Sequence, residues 1–412
     1  MRKEGTAANG WSHCRLRDVA VLQPGLAVGS RMPKDPVVRP YLSVANVQDG
    51  HLALTEVKQI AVDRARASRY ELRDGDVLMT EGGDFDKLGR GTVWRGQIPG
   101  CLHQNHVYAV RPDSTRLLSD YLAAWTASTA GRQYFRACSK QTTNLASVNA
   151  RQVRNAPLFL PPVEYQASVV AVLSAWARAA DKFSALLAAK RRLKRGLMQQ
   201  LLTGKRRLHP YCSADWVDCT IGDLVQEAKR PVAWDEAAAY ELVSVRRWSG
   251  GVFSRGQLYG RAIKVKRLYQ IRAGDLLLSH IQAAYGAIAL VPAEFHGTFV
   301  SDLYTVLRSR DESHFAIKYL AYHCQGKRMW HKAYLASNGF FAERLRLNFS
   351  LPDFLATRIR VPTLLEEQLA VIELLTLLDR EIAVLEQLAS GYRTQKRALM
   401  QQLLTGRLRV KG

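Results

Sequence analysis

Lys194-Arg-Gly-Leu-Met-Gln-Gln-Leu-Leu-Thr-Gly204 returns as Lys396-Arg-Ala-Leu-Met-Gln-Gln-Leu-Leu-Thr-Gly406, with ten of eleven positions identical at an offset of 202 residues. The same offset relates Gln166, in Leu160-Pro-Pro-Val-Glu-Tyr-Gln166, to Gln368, in Val361-Pro-Thr-Leu-Leu-Glu-Glu-Gln368. A repeat this close is a duplicated element, and it decides the architecture.

Between each Gln and each Gly, apolar residues recur at alternating spacings of three and four. The first copy gives Val169, Leu173, Trp176, Phe183, Leu187, Leu197 and Leu201. The second gives Val371, Leu375, Leu378, Ile382, Leu385, Leu399 and Leu403. That is a sustained heptad-like seam. A helix of about 40 residues spans about 60 Å, which suits a spacer. Thr363-x-x-Glu366 reads as a capping box at the start of the second helix, and Gly204 and Gly406 read as left-handed C-terminal caps. From Lys190 to Arg207 the first copy carries eight basic residues and no acidic one. From Glu366 to Glu386 the second carries six acidic residues against Arg380. Only an antiparallel pairing sets these two stretches side by side.

The flanking segments repeat as well. Trp11-x4-Leu16-x-Asp18-Val19 returns as Trp216-x4-Ile221-x-Asp223-Leu224, and Gly75-Asp76-Val77-Leu78 as Gly274-Asp275-Leu276-Leu277. A Gly-Asp turn before an apolar run reads as the start of a buried strand. Tyr121-Leu122 and Tyr319-Leu320 sit on short helical patterns. Runs such as His106–Val110, Ala287–Val291 and Leu303–Leu307 read as strands. The expectation is an α+β chain with an internal pseudo-two-fold repeat, in which two β-rich domains (residues 1–160 and 210–360) are separated by an antiparallel coiled coil of two long helices (residues 161–209 and 361–412).

A formal charge of +23 over 412 residues points to a polyanionic partner. The helical segments 162–209 and 362–412 carry only +8 and +1, so most of the excess lies on the β-rich parts. Six cysteines form no CxxC pair, which argues against a zinc ribbon or a disulfide framework. No signal peptide and no bilayer-length apolar run is seen, so the expected setting is soluble and cytoplasmic, with no membrane association.

Over essentially its full length the chain resembles the specificity subunit of type I restriction-modification systems. The residues that carry the resemblance are the twin helix starts at Gln166 and Gln368, the two Leu-Met-Gln-Gln-Leu-Leu-Thr-Gly runs, and Pro40-Tyr-Leu-Ser-Val-Ala-Asn-Val-Gln-Asp-Gly50. The first copy has Glu164-Tyr165-Gln166 where the family usually has Glu-Gln. The resemblance implies two target-recognition domains, each reading half of a split sequence in double-stranded DNA. It also implies two adenine methyltransferase (M) subunits and a restriction/translocase (R) subunit as partners, the methyltransferase docking on the helices. Two alternatives stay open: the recognition subunit of a type IIB-like enzyme with one fused partner, and a scaffold that coats nucleic acid without reading sequence.

The chemistry of the complex is not expected in this chain. Methyl transfer to an exocyclic amine needs Asn/Asp-Pro-Pro-Tyr, whereas Pro161-Pro162 follows Leu160. Gly204-Lys205 and Gly326-Lys327 lack the upstream Gly of a phosphate-cradling loop. Glu56-x-Lys58 and Glu227-x-Lys229 are too short to form a metal-dependent nuclease centre. No catalytic residue, metal or cofactor is therefore expected.

Sequence reading draws on Arg and Lys for guanine and on Asn and Gln for adenine, with further polar contacts to phosphate, presented on loops of a rigid scaffold. In the first copy the candidates are Asn46, then Lys87 and Arg90 in the loop 81–91, then the stretch His103-Gln104-Asn105-His106, then Lys140, Gln141, Thr142 and Asn144. In the second they are Arg246 and Arg247 in Arg246-Arg247-Trp248, then His280, Gln282, Tyr285 and Asn338.

Overall fold

The computed structural model describes all residues except 1–9, 28–32, 84–87, 90, 142–145, 342–345 and 411–412, and for 83, 140, 141, 338–341 and 346–348 the backbone alone. The chain divides into two compact units. The first combines Met1–Ser184 with Leu388–Gly412, and the second is Ala185–Gln387. The sequence boundaries set both helices apart as spacers. In the fold each unit instead keeps one part of each helix, because the apolar seam at the helix ends packs into the β-rich cores.

In the first unit the strands are β1 (Ser12–Arg15), β2 (Ala20–Gln23), β3 (Pro36–Leu42), β4 (Lys58–Asp63), β5 (Val77–Thr80), β6 (Gly82–Gly83), β7 (Gly91–Val93), β8 (Leu102–His103), β9 (Val107–Pro112), β10 (Lys140–Gln141), β11 (Ala146–Ser147) and β12 (Pro157–Leu160). Helices α1 (Arg64–Tyr70), α2 (Ser119–Ala127), α3 (Thr129–Cys138) and α4 (Ala150–Arg154) lie among them, and α5 (Val163–Leu201) follows. The sheets run β2-β9-β5-β7, β4-β3-β8 and β10-β11-β6, while β1 pairs antiparallel with β12, Ser12 opposite Leu160. β5 is buried at every position, as expected of a central strand covered on both faces.

The second unit repeats this plan. It has β13 (Trp216–Thr220), β14 (Val225–Glu227), β15 (Ala239–Val245), β16 (Val252–Tyr259), β17 (Leu268–Gln270), β18 (Leu276–Ser279), β19 (Ile288–Leu290), β20 (Phe299–Ser301), β21 (Tyr304–Ser309), β22 (Ser337–Phe341), β23 (Arg346–Phe349) and β24 (Arg358–Pro362). Its helices are α6 (Ile221–Leu224), α7 (Ile317–Cys324), α8 (Lys327–Leu335), α9 (Leu351–Leu355) and α10 (Leu365–Leu404). The sheet β14-β21-β18-β19 answers β2-β9-β5-β7, β18 is buried throughout, and β13 pairs with β24 as β1 does with β12.

Several buried details explain why these residues repeat. Gln166 and Gln368 are fully buried and make the same three bonds. Gln166 Oε1 accepts from Leu118 N at 2.9 Å while Nε2 donates to the carbonyls of Arg116 and Pro161. Gln368 Oε1 accepts from Ala316 N at 3.0 Å while Nε2 donates to those of His314 and Pro362. Each amide thereby ties a helix start to the segment before α2 or α7, and buried backbone groups left without it would be costly. Asp76 and Asp275, in the two Gly-Asp turns, are likewise buried and each takes a bidentate arginine. The arginines come from unlike places, Arg111 from β9 and Arg230 from the segment after β14.

At the far ends of the helices, Gly204 (φ 68°) and Gly406 (φ 70°) adopt the expected left-handed conformation. Each also lies under a tryptophan: a β-carbon would meet the Trp216 ring at 3.2 Å and the Trp11 ring at 3.1 Å. Thr363 does not form the expected capping box. Its hydroxyl donates to the Asp215 carbonyl at 2.9 Å, so a tertiary contact to the segment before β13 takes the place of the local cap.

Within each unit the helix portions pair antiparallel. In the first, Val169, Leu173 and Leu403 join the main core with Leu399 packed against it, and Trp176 and Phe183 bracket the Tyr392 ring at 5.2 and 4.8 Å. In the second, Leu201, Val371 and Leu375 are core residues with Leu197 against them, Leu378 is buried, and Leu187, Ile382 and Leu385 are half-buried. The charge expectation is met by ion pairs Lys190–Glu381, Arg191–Glu386, Lys194–Asp379 and Arg207–Glu367. Exposed pairs of this kind contribute little; Arg207–Glu367 is different because the carboxylate is 1% exposed.

Candidate nucleic-acid interface

The fold brings the first unit's candidate stretches together around Glu81. Glu81 N donates to the His106 carbonyl at 2.9 Å, and Val148 N donates to the Glu81 carbonyl at 2.7 Å. The carboxylate holds His106 Nδ1 at 2.6 Å and accepts from the Tyr108 hydroxyl at 2.8 Å. Ala146 lies opposite both Gly83 and Gln141, so the loop after β5 and the segment after α3 share the sheet β10-β11-β6. His106 is exposed, while Gln104 and Asn105 are half-buried on the turn between β8 and β9. Lys140 and Gln141 lie on β10. Lys87, Arg90, Thr142 and Asn144 fall outside the described residues.

Two expectations in this unit are corrected. Asn46 is buried, its Oδ1 accepts from both Ser43 N and Ser43 Oγ, and its Nδ2 donates to the carbonyls of Ala53 and Glu56. An amide so used has no capacity left for a base; Asn46 instead braces the long connection between β3 and β4. His103 is also buried, with Nδ1 2.7 Å from the Val107 carbonyl, and burial holds its pKa below the usual histidine range. It is a core histidine.

In the second unit the candidates again converge. The turn between β15 and β16 presents Arg246 and Arg247 in solvent. Trp248 N donates to the Tyr285 carbonyl at 2.8 Å and Ser249 N to that of Gly286 at 3.0 Å, which joins this turn to the segment 280–286. Arg247 lies over the half-buried Tyr285 ring at 5.1 Å and Arg246 over Phe253 at 4.4 Å. Gln282 is half-buried at the start of that segment. His280 is half-buried too, with Nε2 2.7 Å from Thr305 Oγ1 and its ring on Phe349, and burial lowers its pKa. Engaged with Thr305, it supports the segment more than it faces solvent. Asn338 lies on β22 opposite Asn348.

The loops that carry these residues differ between units. Residues 43–57 connect β3 to β4 by a long path, whereas Arg246–Gly251 closes β15 onto β16 as a tight hairpin. The frame is duplicated and the presented surface is not. Among the described residues no group of three His, Cys, Asp or Glu could hold a metal ion, and no helix is long and apolar enough to cross a membrane.

Two copies of one β-rich unit sharing two long helices define a class of duplicated, helix-joined proteins. No protein-family model matches the chain. Over 201 residues it is 21% identical to a protein described as a type I restriction enzyme MjaX specificity subunit from Methanocaldococcus jannaschii, a match covering 48% of this chain and 47% of that protein. Over 154 residues it is 26% identical to the type I restriction enzyme EcoKI specificity subunit of Escherichia coli, covering 36% of this chain and 32% of that one. The chain thus spans less than half the length of either relative in these matches.

Among solved structures, the type I restriction-modification S subunit from M. genitalium is similar with a TM-score of 0.55 at 11% identity, covering 96% of both chains. A chain from a structure concerned with complex assembly and conformational transition of a type I restriction-modification system has a TM-score of 0.58 at 17% identity, covering 99% of this chain and all of that one. The fold is that of type I specificity subunits over nearly the whole chain, and the family resemblance carried by the two helix repeats agrees with the named relatives.

Proposed function

We propose that the chain is the DNA-recognition subunit of a type I restriction-modification complex, each unit reading one half of a split target. The observation that carries this reading is the contrast between a duplicated buried frame and two unlike sets of exposed loops. Gln166 with Gln368 and Asp76 with Asp275 keep the frame. The exposed ends of that frame carry His106 in one unit and Arg246 and Arg247 in the other. A protein that merely coated nucleic acid would have no use for two different reading surfaces.

In this reading the subunit is non-catalytic, and methyl transfer and cleavage belong to its partners. The second unit's helix portions offer a place for a methyltransferase: Leu369, Leu377 and Val384 form an exposed apolar stripe on α10, and Leu186 and Leu193 another on α5. Such stripes at helical spacing suit a partner's helices. The paired helices then set the distance between the half-sites.

The direct test is to express the chain with a cognate adenine methyltransferase and map modified adenines across a genome. A motif with two defined halves and a constant gap is the expected result. An active, assembled methyltransferase that modifies adenines with no split motif would overturn the proposal.

A further inference from the structure

The hairpin turn Arg246-Arg247-Trp248-Ser249-Gly250-Gly251 has an unusual backbone. Gly250 N donates to the Arg247 carbonyl at 3.1 Å and Arg246 N to that of Gly251 at 2.9 Å, while Trp248 and Ser249 have φ of 58° and 55°. Positive φ at both central residues, closed by a bond from the fourth residue to the first, is the pattern of a type I′ turn. Asn-Gly fits that turn with little strain; Trp-Ser does not, because a β-carbon crowds the left-handed backbone. Among the described residues these two are the non-glycine positions with positive φ.

The surroundings hold the strained turn in place. Besides the two backbone bonds to Tyr285 and Gly286, the indole packs edge-on to Tyr285 at 6.0 Å and tilted against Trp330 at 5.4 Å. Trp330 is anchored by a bond from Nε1 to the Cys324 carbonyl at 2.8 Å, and Gly286 (φ 71°) leaves room for it, since a β-carbon there would meet its ring at 2.5 Å. All this support still leaves Trp248 62% exposed. A strained backbone that holds a large apolar ring out into water, next to two exposed arginines, serves something outside the chain.

Building on the DNA-recognition reading, we propose that Trp248 is a base-contacting residue of the second unit. Its indole packs on a thymine methyl group at the major-groove edge of that unit's half-site, and Arg246 and Arg247 beside it take phosphates. Apolar side chains read the thymine methyl group at the major-groove edge of a duplex, and guanidinium groups bind phosphate. The sequence places Trp248 in one stretch with the two arginines, and the expectation named only the arginines as contacts.

The test uses the assembled complex with its methyltransferase and the variants Trp248→Asn and Trp248→Phe. Asparagine tolerates the left-handed backbone, so Trp248→Asn is expected to keep or raise the melting temperature. Its affinity for the native duplex should fall roughly tenfold, and base preference should relax at a position in one half-site while the other half-site and the gap stay as they are. Trp248→Phe is expected to keep most of the affinity.

Unchanged affinity and motif in Trp248→Asn would overturn the proposal while leaving the DNA-recognition reading intact. A lowered melting temperature with proportionate loss of binding would make the residue structural, and failure to assemble with the methyltransferase would make it a protein contact; either result also overturns it. A wild-type complex with no split motif would remove the reading on which the proposal rests.

Discussion

Replacing Arg207 by alanine tests how the second unit is locked to the helices. Glu367 is 1% exposed, and the Arg207 guanidinium meets its two oxygens at 2.6 and 2.8 Å. The remaining donor to this carboxylate is Trp216 Nε1 at 3.3 Å, while Arg207 also bonds the carbonyls of Tyr211 and Ala214. Removing the guanidinium leaves a buried charge without its partner, which costs about 3–5 kcal/mol. At about 2–4 °C per kcal/mol for a unit of this size, the melting temperature should drop by roughly 10 °C.

The repeat supplies its own control. The place of Glu367 is taken in the first copy by Tyr165, whose hydroxyl donates to the Leu408 carbonyl at 2.9 Å, and the place of Arg207 by the exposed Arg409. Among the described residues no buried charge is paired with Arg409, so Arg409→Ala should stay within about 0.5 kcal/mol of the parent. Urea unfolding with hydrogen exchange measures both, over residues 185–387 for Arg207→Ala and over residues 10–184 and 388–410 for Arg409→Ala. Adding Glu367→Gln to Arg207→Ala should recover part of the loss, because the stranded charge is gone. A cost below about 1 kcal/mol for Arg207→Ala, or an equal cost for Arg409→Ala, would refute the reasoning.

Further predictions concern pH and length. His323 Nε2 is shut off from solvent with no partner, and burial pulls the pKa down from 6.5 to about 4. A histidine depressed on folding contributes stability that is complete above its unfolded pKa and is lost as pH falls towards the folded value. The second unit should therefore weaken between pH 6.5 and 4, and His323→Leu should flatten that part of the stability profile in urea titrations; an unchanged slope would contradict the assignment. Inserting seven residues after Ala188 and seven after Glu386 keeps the heptad phase of both helices. It adds about 10 Å of helix, so the gap in the methylated motif should grow by about three base pairs. A folded complex that keeps its original gap would show that the helices are not the ruler.

How far the sequence could be read depended on whether a signal was local. The helices and their direction of pairing were legible because seam spacing and opposite charge blocks are written along the chain, and the Gly-Asp turns announced β5 and β18. The Thr363 cap was misread because its hydroxyl found Asp215, 148 residues away. Asn46 and His103 looked like surface readers because their types suit DNA. Only the folded environment shows that Asn46 is saturated and His103 buried. Tyr392 also stands on the seam, seven residues before Leu399, and there its ring meets Trp176 and Phe183. Trp248 carries no local mark at all, since nothing in Trp-Ser calls for a left-handed turn.

The make-up of the first unit has a consequence for its synthesis. Its core includes Leu403 and Leu404, supplied by a segment that begins at Leu388, whereas its other part ends at Ser184. At translation rates of about 5–20 residues per second, some 200 residues and roughly 10–40 s separate the two. Throughout that interval the core that holds Leu16, Val169 and Leu173 is without Leu403 and Leu404, and all of the second unit is made in the meantime. The half of the protein that is translated first is the half that must wait to be finished, and during that wait its exposed core is where a chaperone would find it.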